Sequence, residues 1–256
     1  IGRTDFDLAW SESAPLYRND DIETLRTGIA KVNYEEPQDR EDGSSSWLRT
    51  SKIPLTDIDG NTIALLGMYE DISERKQMEN KLRELAHYDT LTGLANRAFF
   101  LNHLERAVSN RLRRHAPLAL MYVDIDHFKT INDSYGHDAG DALLRAFAQR
   151  VTDTVREPDI FARLGGDEFA LILEDLPNFA AAERIGAKLV AAVRRPFRIG
   201  ERSVTVSTSI GIAFFEPGMA PDELIRRADQ AMYSAKRAGR DRFEVAAHSA
   251  PPQINP

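Results

Sequence analysis

A short segment in the second half of the chain constrains the fold more than any other. Residues 160–173 read Ile-Phe-Ala-Arg-Leu-Gly-Gly-Asp-Glu-Phe-Ala-Leu-Ile-Leu, which is two apolar strand-like runs around Gly-Gly-Asp-Glu. This pattern predicts a β-hairpin with two glycines and two carboxylates at its tip. Glycine lets a bulky group approach the backbone, and adjacent carboxylates are good ligands for a hard divalent cation. The tip therefore predicts a site for a phosphate ester that carries a metal ion.

The composition of the 256-residue chain excludes several classes of protein. A net charge of −7 argues against nonspecific nucleic-acid binding, which needs a basic surface. The chain contains no cysteine, which excludes disulfides and thiolate metal sites. No apolar run approaches the roughly 18 residues needed to cross a membrane, so no membrane contact is predicted within this sequence. Because the chain starts at Ile1 rather than at a methionine, we interpret it as a fragment, with room for a membrane anchor upstream.

The chain divides into three zones and a tail. The first zone, residues 1–72, contains two strand-like segments joined by a strong hairpin turn at Asp57-Ile58-Asp59-Gly60-Asn61. The predicted strands are Trp47 to Pro54 and Thr62 to Tyr69. The tail, residues 248–256, contains two adjacent prolines and is predicted to be disordered.

A densely charged helix is predicted for the second zone, residues 73–87. Met78, Leu82 and Leu85 follow a heptad-like spacing and form a narrow apolar seam. Such a seam suits a two-stranded coiled coil, but it covers only about two heptads, so it suits a solvated linker helix equally well. The sequence leaves these two interpretations open.

The third zone, residues 88–247, alternates helices and strands. Around the hairpin we predict helices at 97–114, 138–155, 178–193 and 221–238, and strands at 118–125, 203–215 and 242–246. The core order β-α-β-β-α-β is the ferredoxin-like pattern. It predicts an α+β fold with a palm-type antiparallel sheet flanked by helices, which we expect on one face of the sheet.

Acidic residues end the first strand of this zone. Asp124 and Asp126 follow an apolar run, and the predicted topology lets that strand pair with the hairpin that carries Asp167. Two facing strand-end carboxylates make a site for Mg²⁺, which completes its ligand shell with phosphates and water. Acids directly after a strand are by themselves more often turn formers. The second acidic group at the glycine hairpin favours the metal site.

Polar residues further along offer a second set of candidates. Asn132 and Asp141 lie in a glycine-bearing connection, and an amide with a carboxylate can bind the N–H edge of a purine base. On composition alone, an Asx turn and an acidic helix start explain these residues better, and His137 is interpreted as a turn residue. Lys236 and Arg240 could bind phosphates, but cations beside a glycine are also ordinary at a helix C-terminus.

The residues from Tyr88 to Val245 resemble the GGDEF domain of bacterial diguanylate cyclases. Residues 165–169 spell the motif, and further matches surround it in order along the chain. They are Asp89-Thr90-Leu91-Thr92-Gly93-Leu94-Ala95-Asn96-Arg97, Asp124-Ile125-Asp126-His127-Phe128-Lys129, Asn132-Asp133, Gly136-His137-Asp138, Gly140-Asp141, Ala228-Asp229, Ala231-Met232-Tyr233, Ala235-Lys236 and Gly239-Arg240. The resemblance implies a cytoplasmic catalytic domain that condenses two GTP into cyclic di-GMP and two pyrophosphates, across a homodimer in which each domain holds one GTP.

The same resemblance implies roles for individual residues. Asp124, the backbone of Ile125 and Asp167 would hold Mg²⁺ or Mn²⁺, and Asp167 with Glu168 would help to activate the 3′-hydroxyl. Guanine would be read by Asn132 and Asp141, with His137 lining the nucleotide site. The triphosphate would lie close to Gly165 and Gly166, and it would contact Phe128 through its backbone, Lys129, Lys236 and Arg240.

A second matching segment lies just before the hairpin. Arg156-Glu157-Pro158-Asp159, with Arg163 nearby, resembles the inhibitory RxxD site of the family, where a cyclic di-GMP dimer binds. Arginine can stack on guanine and hydrogen bond to it, and aspartate can accept from its N–H edge. A surface ion pair at a helix end is the alternative. The offset of this segment from Gly165 favours the inhibitory site, and with it product inhibition.

The first zone resembles the C-terminal part of a PAS sensor domain over residues 47–55 and 66–76. The match is shorter than a whole PAS fold, so we interpret residues 1–72 as a partial PAS/PAC sensor module. Residues 73–87 would be the signalling helix, and residues 88–247 the cyclase domain that the module regulates.

Two other functions stay open. A catalytically silent GGDEF receptor for cyclic di-GMP or GTP is disfavoured because Asp124, Asp167 and Glu168 are all in place. A nucleotide cyclase with a different base choice is disfavoured by Asn132 and Asp141, which the resemblance assigns to guanine.

Overall fold

The computed structural model describes residues 4–7, 11, 14–40, 42–111, 117–156 and 159–247. The chain divides into two structural units, Ile1–Arg83 and Glu84–Pro256, and each is described by itself. The tail predicted from residue 248 lies outside the described residues, as do the last residues of the helix predicted at 97–114. Within the described ranges, no helix has the length and apolar character needed to span a membrane.

The first unit is a three-stranded antiparallel sheet with one α-helix. After a short 3-10 helix at Asp5–Asp7, its elements are α1 (Ala14–Thr27), β1 (Lys31–Asp39), β2 (Ser45–Thr56) and β3 (Thr62–Asp71), with strand order β1-β2-β3. The predicted turn is confirmed, because the Asp57 carboxylate accepts hydrogen bonds from the N–H groups of Asp59 and Asn61 at 2.9 and 2.8 Å. The sequence pattern did not indicate α1 or β1, since α1 buries only Ala14 and Thr24 and no residue of β1 is buried.

Helix α2 (Ser73–His87) has the bounds that the sequence predicts. The Asp71 carboxylate accepts a hydrogen bond from the Ser73 N–H at 2.9 Å, which satisfies one of the free donors at the helix start. Met78, Leu82 and Leu85 are 67%, 61% and 47% exposed. The apolar seam of α2 is therefore uncovered in the single chain.

The second unit is built on a five-stranded sheet with strand order β10-β9-β4-β6-β5. Its elements are α3 (Arg97–Arg111), β4 (Ala119–Ile125), α4 (Phe128–Tyr135), α5 (His137–Thr152), β5 (Ile160–Gly165), β6 (Glu168–Leu173), α6 (Phe179–Val193), β7 (Phe197–Ile199), β8 (Arg202–Val204), β9 (Thr208–Phe214), α7 (Pro221–Arg237) and β10 (Arg242–Val245). The pairs within β9-β4-β6-β5 are antiparallel, whereas β10 runs parallel to β9. The predicted α+β class with a helix-flanked sheet is confirmed.

Helices cover both faces of this sheet, so the prediction of helices on one face is wrong. Phe147 of α5 packs with Phe169 on one face, while Phe100 of α3 and Leu224 of α7 belong to the core on the other. Strands buried on both faces carry near-continuous apolar runs rather than an alternating pattern. The sequences of β4, β6 and β9 are of this kind, and they indicate the second helical layer.

Three local predictions also need correction. The strand predicted at 203–215 is two strands, β8 and β9, and β8 pairs with β7 in a separate hairpin that the sequence pattern did not indicate. The polar connection after β4 contains helix α4, whose eight residues bury only Phe128. The helix predicted at 138–155 ends earlier, at Thr152.

Helix α7 lies unusually close to strand β9. A Cβ atom at Gly211 would lie 2.0 Å from the carbonyl oxygen of Ala228 and 2.1 Å from the backbone nitrogen of Met232. Only glycine permits this approach of two backbones. Gly211 therefore determines how closely the helix that carries Lys236 can pack on the sheet.

Candidate active site

The hairpin predicted from the sequence is present, and its tip lies beside the end of β4. Strands β4 and β6 pair so that Asp124 is directly opposite Glu168. Gly166 and Asp167 form the two-residue turn, and Gly166 has a φ of 52°, which suits glycine. A Cβ added at Gly165 or Gly166 would meet no atom within 4 Å, so the tip has open space around its backbone.

Asp124 is a buried carboxylate with one cationic partner. Its side chain is 8% exposed and lies 2.7 Å from the Nζ atom of Lys236, at the end of α7. Burial raises the pKa of Asp124 to about 6, against the lowering effect of the Lys236 ammonium, and the nearby carboxylates of Asp167 and Asp126 raise it further. The end of β4 therefore concentrates negative charge that a bound cation would stabilise.

These residues fit a hard divalent cation such as Mg²⁺ or Mn²⁺. Asp124 already holds an ammonium at hydrogen-bond distance, and a carboxylate with backbone carbonyl oxygen is a suitable donor set for such ions. Among the described residues, no three His, Cys, Asp or Glu side chains cluster as a metal site. A metal ion at Asp124 would thus take further ligands from the backbone, from phosphates and from water.

A second group of candidates lies where α4 meets α5. The side-chain oxygen Oδ1 of Asn132 is buried and has no hydrogen-bond partner. It lies against Gly140, because a Cβ at that position would be 1.9 Å from it. Asp141 follows in the first part of α5 and is half-buried, whereas His137 is exposed at the helix start. A buried acceptor without a donor costs free energy, and a ligand N–H would satisfy it.

The start of helix α4 faces the same end of β4. Phe128 is buried, which leaves its backbone for contact with a ligand. Lys129 is exposed, so its side chain can reach a ligand. His127 precedes them with a φ of 60°, and its side chain does not cap the helix. Uncapped N–H groups at a helix start are suitable donors for phosphate oxygens.

Asp126 lies in one of the matching motifs, where neither the residue pattern nor the resemblance gives it a separate role. Its side chain is fully buried, and the Ser207 and Ser209 hydroxyls donate to it at 2.6 and 2.7 Å. The Arg240 Nε atom lies 4.0 Å away, and the Arg240 side chain is 45% exposed. Asp126 therefore lies beneath the loop that follows α7 rather than beside Asp124 as a second ligand.

The segment that resembles an inhibitory site contains a third buried carboxylate. Arg156 Nε lies 3.1 Å from Asp159 Oδ1, with the Asp159 side chain fully buried and that of Arg156 43% exposed. Burial raises the pKa of Asp159, and the Arg156 guanidinium opposes this shift. Arg156 also donates to the Glu174 carbonyl. A cavity of about 280 Å³ adjoins the pair and is lined in addition by Arg184 and Lys188 of α6.

Arg163, the third residue of the predicted inhibitory site, has contacts at the hairpin tip. Its guanidinium pairs with both carboxylate oxygens of Asp89, at 3.0 and 3.1 Å. It also donates two hydrogen bonds to the Gly166 carbonyl, at 2.9 and 2.8 Å. Arg163 thus supports the hairpin tip, and its place in the inhibitory site beside Arg156 and Asp159 stays a prediction.

Comparison with protein families agrees with this geometry. The family model described as "Diguanylate cyclase, GGDEF domain" matches residues 86–242, which is more than half of the chain. This chain belongs to the GGDEF family. A second family model, the PAS fold, matches residues 1–77, in agreement with the resemblance of the first zone.

Relatives of known structure support the same family. The chain is 46% identical over 181 residues to the diguanylate cyclase TpbB of Pseudomonas aeruginosa, covering 69% of this chain and 41% of that protein. A structure of the TpbB GGDEF domain has a TM-score of 0.60 at 43% identity, covering 63% of this chain and 95% of that one. The coiled coil and GGDEF domain of DgcB from Caulobacter crescentus, in complex with c-di-GMP, has a TM-score of 0.64 at 30% identity, covering 68% and 93%.

Proposed function

We propose that this chain is a diguanylate cyclase that condenses two molecules of GTP into cyclic di-GMP and two pyrophosphates. The observation that carries the proposal is the arrangement at the end of β4. Asp124 is buried opposite Glu168, beside the open Gly-Gly tip, with the Lys236 ammonium at 2.7 Å. A site that joins carboxylates, a cation and accessible backbone suits a metal-bound triphosphate.

The residues of the site divide into those that would hold the cation and those that would contact the triphosphate. Asp124, the Ile125 carbonyl and Asp167 hold the divalent cation, which would neutralise charge on the phosphates. The exposed tip at Gly165 and Gly166 accepts the triphosphate. The remaining phosphate contacts come from the backbone of Phe128 and from Lys129, Lys236 and Arg240.

Guanine recognition is assigned to the α4–α5 corner. Guanine presents neighbouring N–H donors on its pairing edge, whereas adenine presents a donor beside an acceptor. The unpaired Oδ1 of Asn132 would accept from such an N–H, and the carboxylate of Asp141 would accept another, with His137 alongside. The unsatisfied buried oxygen supports guanine as the preferred base.

The reaction needs two copies of the domain. In each half-reaction the 3′-hydroxyl oxygen of one GTP attacks the α-phosphorus of the other, and the bond to the leaving pyrophosphate breaks. Asp167 and Glu168 of the proposed site receive or position the proton of the hydroxyl. Because one domain holds one GTP, a homodimer is required, and the uncovered seam of α2 supports a parallel pairing of two chains.

Regulation would follow the division of the chain. Residues 1–72 act as a partial PAS/PAC module, residues 73–87 as the signalling helix and residues 88–247 as the cyclase domain, working in the cytoplasm where GTP is available. The product would bind at Arg156 and Asp159 and inhibit the enzyme. The basic side chains that line the adjoining cavity support binding of an anionic ligand there.

The activity is tested by incubating the chain with GTP and Mg²⁺ and measuring cyclic di-GMP and pyrophosphate. We expect equal molar amounts of GTP consumed and pyrophosphate released, with no turnover of ATP. Asp124→Asn serves as the inactive control. Binding of GTP or cyclic di-GMP without any product, at high protein concentration, would instead identify a silent receptor. Turnover of ATP at a similar rate would overturn the guanine assignment.

Product inhibition is tested by adding cyclic di-GMP to the assay. Changing Arg156 alone leaves Asp159 buried without its cation, so the variant of choice is Arg156→Ala with Asp159→Ala. We expect its initial rate to be retained and its inhibition to weaken at least about tenfold. Inhibition of unchanged strength would remove the site from Arg156 and Asp159.

The helix seam is tested by Leu82→Asp with Leu85→Asp. Both dimerisation and activity should fall, because charged side chains in a coiled-coil seam disrupt it. A matched control is Gln77→Asp with Asn80→Asp, which adds the same charge away from the seam. Normal activity of the seam variant would favour the solvated linker helix.

A further inference from the structure

The loop after α7 has an unusual backbone. Gly239, Arg240 and Asp241 follow one another with φ values of 110°, 61° and 52°. Positive φ is natural for glycine but costs free energy for arginine and aspartate. Two consecutive residues of this kind persist only where surrounding contacts hold them. Arg240, one of the two, is also a proposed ligand of the triphosphate.

Two side chains hold this loop from opposite sides. From beneath, Asp126 Oδ2 accepts a hydrogen bond from the Asp241 N–H at 3.2 Å. From the surface, Arg194 donates to both carboxylate oxygens of Asp241 at 2.9 and 2.8 Å, and to its carbonyl at 3.2 Å. The Asp241 backbone is therefore fixed on both sides, and Arg240 precedes it directly.

Asp126 is itself held rigidly. Its two oxygens accept from Ser207, which precedes β9, and from Ser209 within β9, and its own N–H donates to the Ser207 carbonyl at 3.0 Å. The acceptors of its fully buried carboxylate are thus used by protein donors, with Arg240 Nε 4.0 Å away. An asparagine in place of Asp126 would have the same shape but only one acceptor oxygen for these donors. It would also lack the negative charge that attracts the Arg240 guanidinium.

We infer that Asp126 is a positioning residue for GTP, which holds the strained loop so that Arg240 points at the triphosphate. This inference rests on the proposed function, since that function supplies the ligand of Arg240. Asp124 and Asp126, at the end of the same strand, would then have different roles. Asp124 binds the cation, and Asp126 orients an arginine without contacting the nucleotide.

The test is a double-mutant cycle between Asp126→Asn and Arg240→Ala. Affinity for a non-hydrolysable GTP analogue is measured with Mg²⁺ and again in EDTA, alongside KM, kcat and the melting temperature. If Asp126 acts through Arg240, Asp126→Asn weakens analogue binding about tenfold under both conditions and raises KM more than it lowers kcat. In the Arg240→Ala background the same change should have less than about a twofold effect on binding.

A second variant and a control keep the test decisive if Asp126→Asn folds poorly. Arg194→Ala removes the contacts that hold the same loop from its exposed side. We expect it to weaken analogue binding less than Asp126→Asn does, and to have no such effect in the Arg240→Ala background. Leu189→Val, on the buried face of α6, should lower stability and leave binding unchanged. An equal loss in both backgrounds, or a lower melting temperature with unchanged binding, would overturn the role of Asp126.

These outcomes separate the inference from the function on which it rests. A wild-type chain that binds no GTP analogue and makes no cyclic di-GMP would overturn both. A wild-type chain that is active, with an Asp126→Asn variant that binds normally, would overturn only the positioning role.

Discussion

Two buried carboxylates of the second unit, Asp124 and Asp159, are built alike but held differently. Each is paired with one partly exposed cation, Lys236 at 2.7 Å for Asp124 and Arg156 at 3.1 Å for Asp159. Arg156 lies three positions before its partner. Lys236 reaches Asp124 from the end of α7, far along the chain, and does so only because Gly211 lets α7 approach β9.

The two pairs therefore depend on the rest of the fold to different degrees. The two residues of the local pair belong to one turn, and the further contact of Arg156 is with the Glu174 carbonyl, so the pair should survive changes in the packing of α7. The long-range pair needs the packing of α7, so the proposed active site should respond to substitutions that touch no ligand. Four predictions follow from this contrast, in order of expected size.

The largest effect is expected for Asp124→Asn. Loss of a metal-binding carboxylate should lower cyclic di-GMP formation at least about 10²-fold, because several kcal/mol of charge stabilisation is lost. The same change should raise the melting temperature of the nucleotide-free protein, since a buried carboxylate whose pKa is about 6 is costly to keep ionised. Thermal unfolding at pH 8 measures this, with Asp126→Asn as the control that should lower stability. A less stable Asp124→Asn protein would contradict the prediction.

Gly211→Ala should break the long-range pair of Lys236 and Asp124 and leave the local pair of Arg156 and Asp159 intact. The new methyl group would overlap the backbone of α7, so we expect a loss of about 3 kcal/mol in the free energy of unfolding and a loss of GTP binding. Binding of cyclic di-GMP to the folded fraction should not change. Gly186→Ala is the matched control, because the nearest atoms to its Cβ would be side-chain atoms, the Ile212 Cδ1 at 3.0 Å and the Phe243 ring from 3.3 Å. Equal effects of the two changes would contradict the role given to Gly211.

Arg156→Ala should lower the free energy of unfolding by about 1–2 kcal/mol. The change leaves the Asp159 carboxylate buried and unpaired, although the exposure of Arg156 limits the loss. Adding Asp159→Ala should recover part of the stability, as urea unfolding of both variants would measure. No recovery in the double variant would mean that Arg156 stabilises through its bond to the Glu174 carbonyl instead.

The smallest effect is expected for Lys236→Met in the absence of nucleotide. Removal of the ammonium from Asp124 should strengthen Mn²⁺ binding about threefold to tenfold, because a like charge no longer competes for the carboxylate. Electron paramagnetic resonance of Mn²⁺ measures the free ion. Affinity for GTP should fall in the same variant. Weaker Mn²⁺ binding would show that Lys236 does not compete with the cation.

The sequence was sufficient for the features that are local. The hairpin at 160–173, the turn at Asp57 and the bounds of α2 each follow from short patterns of apolar residues, glycines and caps. The family resemblance supplied the candidate ligands, since composition alone favoured helix capping for Lys236 and an Asx turn for Asn132.

The features that local patterns do not contain are contacts between distant segments. The sequence around Gly211 does not indicate that the backbone of α7 fills the space where a Cβ would lie. The sequence around Gly140 does not indicate that the Asn132 amide does the same there. Asp126 lies in a motif, but its contacts are with Ser207, Ser209 and the loop after α7, all distant in sequence. Likewise, no local pattern indicates that the Arg163 side chain contacts Asp89 and the Gly166 carbonyl.

The contact between Asn132 and Gly140 has a consequence for how base selectivity could change during evolution. Because a Cβ at residue 140 would lie 1.9 Å from the Asn132 oxygen, the amide keeps its place only while residue 140 has no side chain. A single methyl group there would displace the amide, although every polar group proposed to read the base would remain in the sequence. Two relatives with the same recognition residues could therefore differ in nucleotide choice through a position that never touches the nucleotide.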